Sequence, residues 1–153
     1  MRIAIIVIDG VIANNAGHIM QKEISEKQMH WTLQIALETV IEGSGKALRT
    51  LEQRGYLILL LTSRSERMRA AMLEWLYTNQ VTPLRRLEMK PDGELSAKEW
   101  KAQRVGELAR EYGASHILLV EDKQTHRDEM LVRNPKLSIA AYTSLDATIA
   151  APF

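Results

Sequence analysis

The chain contains no cysteine. That excludes disulfides, thiolate metal sites and a thiol nucleophile, and it fits a cytoplasmic setting. Net charge is almost absent: 20 Lys and Arg against 19 Asp and Glu leave +1, so bulk electrostatics call for neither a nucleic acid nor a membrane surface. No apolar run approaches the length needed to cross a bilayer. The N-terminal run from Ile3 to Ile8 stops at Asp9-Gly10 with no small-residue cleavage site behind it, so it reads as a buried strand rather than a signal sequence. Internal repeats, low-complexity tracts and long linkers are also missing. What is present is an ordinary globular composition. With 46% hydrophobic residues over 153 positions, the chain can fill one core, and a single domain over 1–153 is expected.

Four short apolar runs stand out: Ile3 to Ile8, Tyr56 to Leu61, His116 to Val120 and Leu137 to Tyr142, with a weaker one from Pro83 to Met89. The first three are apolar at nearly every position, the pattern of strands covered on both faces in a parallel sheet. Helical periodicity lies between them. Met29, Leu33, Ala36, Leu37, Val40 and Ile41 form one stripe behind the capping box Ser25-Glu26-Lys27-Gln28. Ala47, Leu48 and Leu51 predict a short helix closed by Gly55. Met68, Ala71, Met72, Trp75 and Leu76 predict another, with Ser63 and Glu66 at capping-box spacing. A fourth is expected from Ala97 to Tyr112, opened by Ser96 and Glu99, with Lys101 on its inward face. Thr125 and Asp128 suit the start of a last short helix. Strands alternating with helices predict an α/β, three-layer Rossmann-like fold with a mainly parallel sheet and helices on both faces. Residues 13–43 are expected to form a small inserted segment.

In such sheets, ligands sit beyond the carboxyl ends of the strands. Asp9-Gly10 follows the first strand, Thr62-Ser63-Arg64 the second and Glu121-Asp122-Lys123 the third long run, while Lys101 sits near the start of a helix. Alone, each has a plain explanation: Asp9 as a turn former, Ser63 as a helix cap, Lys101 snorkelling to water, Glu121-Asp122 as a solvated loop. Together, at one edge of one sheet, two acids, a hydroxyl beside helix-start amides and a lysine suit a phosphate and a divalent cation.

These segments resemble the four signature motifs of haloacid-dehalogenase-superfamily (HAD-type) phosphatases. The first motif normally ends a strand with Asp-x-Asp-Gly-Thr or Asp-x-Asp-Gly-Val. Here Ile5-Ile6-Val7-Ile8-Asp9-Gly10-Val11-Ile12 fits, except that Val7 stands where the first aspartate belongs. Leu59-Leu60-Leu61-Thr62-Ser63-Arg64 resembles the second motif, Lys101 the third-motif lysine, and Leu118-Leu119-Val120-Glu121-Asp122 the acidic fourth. Within the superfamily, Leu87-Glu88-Met89-Lys90-Pro91-Asp92-Gly93, Lys101 and Glu121-Asp122-Lys123 resemble the 3′-phosphatase domain of polynucleotide kinase-phosphatases. Lys90 replaces that group's usual arginine, and Glu-Asp its paired aspartates.

The resemblance implies roles. Asp9 would be the acid/base, with its main-chain carbonyl facing a Mg2+ ion. Thr62, with Ser63 and Arg64, would hold phosphate oxygens. Lys101 would pair with the phosphoryl group, and Asp122 with Glu121 would hold the metal. Val7 breaks the scheme, because it offers no lone pair to attack phosphorus and no oxygen to the metal, whose binding is weakened accordingly. The expectation is a catalytically impaired, pseudoenzyme-like protein that binds a phosphorylated small molecule, a nucleic-acid end or a protein. The rival is an active Mg2+-dependent phosphomonoesterase with a rearranged nucleophile, with nucleic-acid 3′-phosphate ends among its expected substrates. A phosphoacceptor signalling domain fits less well, since the acidic pair lies too near the C-terminus. A small cap over 13–43 leaves the site open to large ligands unless another subunit of a homo-oligomer covers it. Met29, His30 and Trp31 are candidates for its mouth.

Overall fold

The computed structural model describes residues 1–14, 35 and 38–150. Five strands form one parallel sheet in the order β5-β4-β1-β6-β7: β1 Arg2–Val7, β4 Leu57–Ser65, β5 Arg86–Lys90, β6 His116–Val120 and β7 Ser138–Tyr142. Two short strands, β2 Ala13–Asn14 and β3 Thr39–Val40, pair antiparallel beside it. Five α-helices are present among the described residues: α1 Ser44–Gln53, α2 Arg69–Thr78, α3 Ala97–Glu111, α4 Gln124–Arg133 and α5 Leu145–Ala150. α3 packs on α4 and α1 on α5, so helices cover the sheet in two layers. The α/β Rossmann-like expectation is met. No helix among the described residues is long and apolar enough to span a membrane.

β1 is the centre of the fold because its sequence allows nothing else. Ile3, Ala4, Ile5, Ile6 and Val7 are all fully buried, which requires cover on both faces and a paired strand on each side. β4 supplies one neighbour, from Ile3 opposite Leu57 to Val7 opposite Leu61, and β6 the other, from Arg2 opposite His116 to Ile6 opposite Val120. The chain moves from β1 to β4 and β5 on one side, then returns to place β6 and β7 on the other. The connections therefore diverge at the carboxyl end of β1, where a crevice is built into such sheets.

Ser96 caps α3 as expected, its hydroxyl accepting from Glu99 N at 3.2 Å, and Gly55 closes α1 at φ +90°. Ser63 is not a helix cap. β4 runs on through Ser65, and it is Ser65 that accepts from Arg67 N, opening a short 3-10 turn over Glu66–Met68 before α2. Val40 and Ile41 do not continue a helical stripe: Val40 is in β3, and Ile41 N donates to the Ile12 carbonyl at 2.7 Å. The rest of that stripe and the capping box at 25–28 lie outside the described residues. The final helix α5 went unanticipated, because six residues give too short a window for a period to show.

Candidate functional site

The carboxyl end of β1 turns sharply. The Ile8 carbonyl accepts from the amides of Val11, Ile12 and Ala13, and Gly10 takes φ +80°. That turn swings Asp9 toward β4. Between Thr62 and Ser65 the pairing of β4 with β5 slips, so that Thr62 faces Met89 but Ser65 already faces Lys90. The irregularity re-aims the side chain of Arg64, as bulges do at sheet ends. Thr62 Oγ1 donates to Asp9 Oδ2 at 2.7 Å, and Arg64 Nε donates to Asp9 Oδ1 at 2.8 Å. The other end of the guanidinium reaches Glu38 Oε1 at 2.7 Å. Asp9, Arg64 and Glu38 are largely shielded, with side chains 14%, 3% and 5% exposed. Burial pushes the Asp9 carboxyl up, but the Arg64 charge, hydrogen bonds from Thr62 and Arg64, and the charge of Lys101 outweigh it and hold it below 3.8.

A second cluster sits across the end of β1. Lys101 Nζ, buried on α3, donates to Glu121 Oε1 at 2.9 Å and lies 3.1 Å from His126 Nδ1, which is itself 2.9 Å from Glu121 Oε1. Glu121 is fully buried, and its Oε2 has no hydrogen-bond partner among the described residues. Its carboxyl is pushed above 4.5, chiefly by burial and further by Asp122, against the pull of Lys101. The ladder ends at Ile6 opposite Val120, so one step further sets Val7 beside Glu121 with both side chains on the same side of the sheet. Lys101 is thus neutralised by Glu121, next to the position where a carboxylate on residue 7 would otherwise compete for it.

Asp122 closes the arrangement. A Cβ built on Gly10 would fall 2.2 Å from Asp122 Oδ2, so only glycine allows this carboxylate to lie against the turn that carries Asp9. The sequence-derived residues Asp9, Thr62, Arg64, Lys101, Glu121 and Asp122 therefore converge at one end of the sheet. Ser63 is there too, but as a strand residue, so no helix-start amides accompany it. Lys90 ends β5 at the same edge, its Nζ on the Pro91 carbonyl at 3.3 Å. Met29, His30 and Trp31 lie outside the described residues.

Two partners were missed from the sequence. Glu38 follows no recognisable motif, and no local pattern could have found it. His126 was legible in principle: it lies in the first turn of α4, and that turn faces back toward the strand end that carries Glu121. Burial, then the charges of Lys101, Lys123 and Lys98, push its imidazole down to about 4. His126 is therefore neutral at pH 7. The stability gained by keeping it neutral is complete above 6.5 and declines as pH falls toward 4, where only the unfolded chain takes the proton. Because the ring is partly in water, the loss should not exceed about 1–2 kcal/mol. An NMR titration should place the His126 midpoint near 4, and His126→Ala should flatten the stability profile between those limits. A midpoint near 6.5 would contradict this arrangement.

A magnesium ion does not fit the donor set as it stands. Val7 contributes no oxygen, both Asp9 oxygens are engaged by Thr62 and Arg64, and Glu121 Oε1 is engaged by Lys101. Among the described residues no three His, Asp or Glu side chains group closely enough to hold a metal. A hydroxyl, a guanidinium and an ammonium stand at this end of the sheet, each now held by a carboxylate.

No family model matches the chain, and no curated protein matches it. Solved structures do. A Pnkp1/Rnl/Hen1 complex aligns with TM-score 0.65 and 18% identity over 92% of this chain. A HAD-superfamily hydrolase, subfamily IA, from Geobacter sulfurreducens aligns with TM-score 0.65 and 14% identity over 94% of this chain and 88% of its own. A D,D-heptose 1,7-bisphosphate phosphatase from B. bronchiseptica, solved with magnesium and phosphate, aligns with TM-score 0.62 and 16% identity over 92% of this chain and 79% of its own. The chain spans less than half of the Pnkp1 complex chain it matches, 46% of that length.

Proposed function

We propose that this chain, which has the fold of the HAD-superfamily hydrolases, is a catalytically impaired relative that binds a phosphorylated ligand at the carboxyl end of β1. The observation that carries this reading is Val7, fully buried at the position where the resemblance requires a nucleophilic carboxylate. Around it, Thr62 and Arg64 would receive phosphate oxygens and Lys101 would offset their charge. Arg64 would have to exchange part of its contact with Asp9 for the ligand. Asp9 would stay ionised, because its pKa is held low. Magnesium would bind weakly, through Asp9, Glu121 and Asp122, and only after their present contacts rearranged. Likeness to the Pnkp1 complex and to the 3′-phosphatase motif layout favours a nucleic-acid end over a free small molecule or a protein. Residues 13–43 would serve as a minimal cap on a single domain, with a second subunit as the alternative cover, in the cytoplasm.

Assays of p-nitrophenyl phosphate and a 3′-phosphorylated oligonucleotide with magnesium test this. Wild type should stay at background while Val7→Asp gains at least about 100-fold, the order that a well-placed catalytic carboxylate supplies. Turnover by the wild type, abolished by Asp9→Asn, would establish the phosphomonoesterase instead. That rival draws on one feature, the open Oε2 of Glu121 beside Val7.

A further inference from the structure

The opposite edge of the sheet, at the amino ends of β6 and β7, carries a groove of about 600 Å³ between the end of α3 and the loop joining α4 to β7. That volume lies in the range of small-molecule sites. Its floor is nearly free of side chains: Gly106, Ala109, Gly113 and Ala114 present only backbone and methyl groups, and Pro135 and Leu137 stand opposite. A floor of this kind is flat and apolar, which suits the face of a planar ring.

The rim is cationic. Arg110, Arg133 and Lys136 line the groove, and no carboxylate does. Arg133 is paired with Glu129 of its own helix at 2.8 Å. Arg110 and Lys136 make no ion pair among the described residues. Arg110 leans in over the floor, with Nη1 3.6 Å from where a Gly106 Cβ would be. Asn134 reaches the same point: its Oδ1 lies 2.6 Å from that position, so any residue other than glycine there would displace it. The Asn134 amide nitrogen is spent on the carbonyls of Ala102 and Met130, at 3.0 and 2.8 Å. Those two bonds fix the side chain's orientation, and its Oδ1 accepts no hydrogen bond among the described residues. The groove therefore combines a flat apolar floor, a fixed acceptor and two unpaired cations of different geometry.

We propose that this groove binds a nucleoside monophosphate whose base carries an amino group. The base lies on the floor with its amino group on Asn134 Oδ1, and Arg110 and Lys136 hold the phosphate. The base, its amino group and the phosphate each answer one feature of the groove, and the ribose sets the distance between them. The site uses neither Asp9 nor Lys101 and does not depend on the function proposed for them.

Titration of the full chain with adenosine 5′-monophosphate tests this, read by calorimetry and by amide NMR shifts. Binding should shift residues 106–114 and 133–137. It should be at least about ten-fold weaker for adenosine or ribose 5-phosphate alone, and at least about ten-fold weaker in Arg110→Ala and in Lys136→Ala. Ala109→Leu, which fills the floor and keeps every charge, should abolish it. The well-dispersed NMR spectrum of each variant confirms that it is folded. The proposal is overturned if millimolar nucleotide causes no shifts, or if the shifts fall only at residues 9–10, 62–64 and 121–122. It is also overturned if ribose 5-phosphate or an acidic peptide binds as tightly as the nucleotide.

Discussion

Arg64→Ala should cost about 3–5 kcal/mol of stability, a fall of roughly 6–20 °C in Tm for a chain of this size. The guanidinium is the shared counter-charge of Asp9 and Glu38, two carboxylates largely withdrawn from water. Deleting it removes one charge partner from two buried carboxylates at once, which is far more costly than never having buried the group at all. The effect has a pH signature. In the wild type the Asp9 carboxyl is held below 3.8, so its contribution is complete above that value and is lost as pH falls through the depressed pKa. Without Arg64 the first-ranking influence, burial, loses its strongest opponent, and the Asp9 pKa should rise. The variant should then gain stability on mild acidification, where the folded state takes the proton more readily than the unfolded chain. Urea titrations of both proteins from neutral pH to pH 4 decide the matter. A variant within about 1 kcal/mol of wild type, with an unchanged acid profile, would mean that the buried pairing contributes little.

Lys101→Ala should be comparably damaging, at about 3–5 kcal/mol near neutral pH. Its partner Glu121 is fully buried, and its carboxyl is already raised by burial despite the ammonium beside it. Removing that ammonium takes away the strongest opponent of burial, so the Glu121 pKa should climb further. A raised carboxyl pKa means stability is greatest below 4.5 and declines as pH rises toward the folded value, so Lys101→Ala should look nearly normal in mild acid and weak at pH 7. Adding Glu121→Gln, which cannot ionise, should restore most of the loss at neutral pH. If the double variant is no better than the single one, the damage comes from the lost lysine stem rather than from the stranded charge.

These two clusters show what the sequence could and could not reveal. The order of elements, the buried character of β1, β4 and β6, and the arrival of Asp9, Thr62, Lys101 and Glu121 at one edge were legible, because strand periodicity and connection order fix them jointly. Side-chain partnering was not. Arg64 was expected to hold phosphate, yet its guanidinium lies between Asp9 and Glu38. That orientation depends on a slip in the β4–β5 ladder which no local composition announces. Ser63 and Glu66 had the spacing of a capping box, but the strand outlasted it by two residues, since pairing with Lys90 satisfies the backbone better than an early helix start would. Glu38 was invisible for a different reason: its importance is set by a contact 26 positions away in the chain.

The small ribbon made by β2 and β3 has a consequence for how the protein can vary. Asn14 faces Thr39 and Ala13 faces Val40, so the chain leaves the sheet and re-enters it at adjoining points, like the two posts of a gate. Ile35, buried in the hydrophobic core, and Glu38, one residue outside the ribbon and bound to Arg64, both tie this stretch to the interior. A chimera that replaces residues 15–34 while keeping Ile35 and Glu38 should therefore leave the core contact and the Arg64 tie intact, which makes this position the natural place to graft new recognition onto an unchanged base.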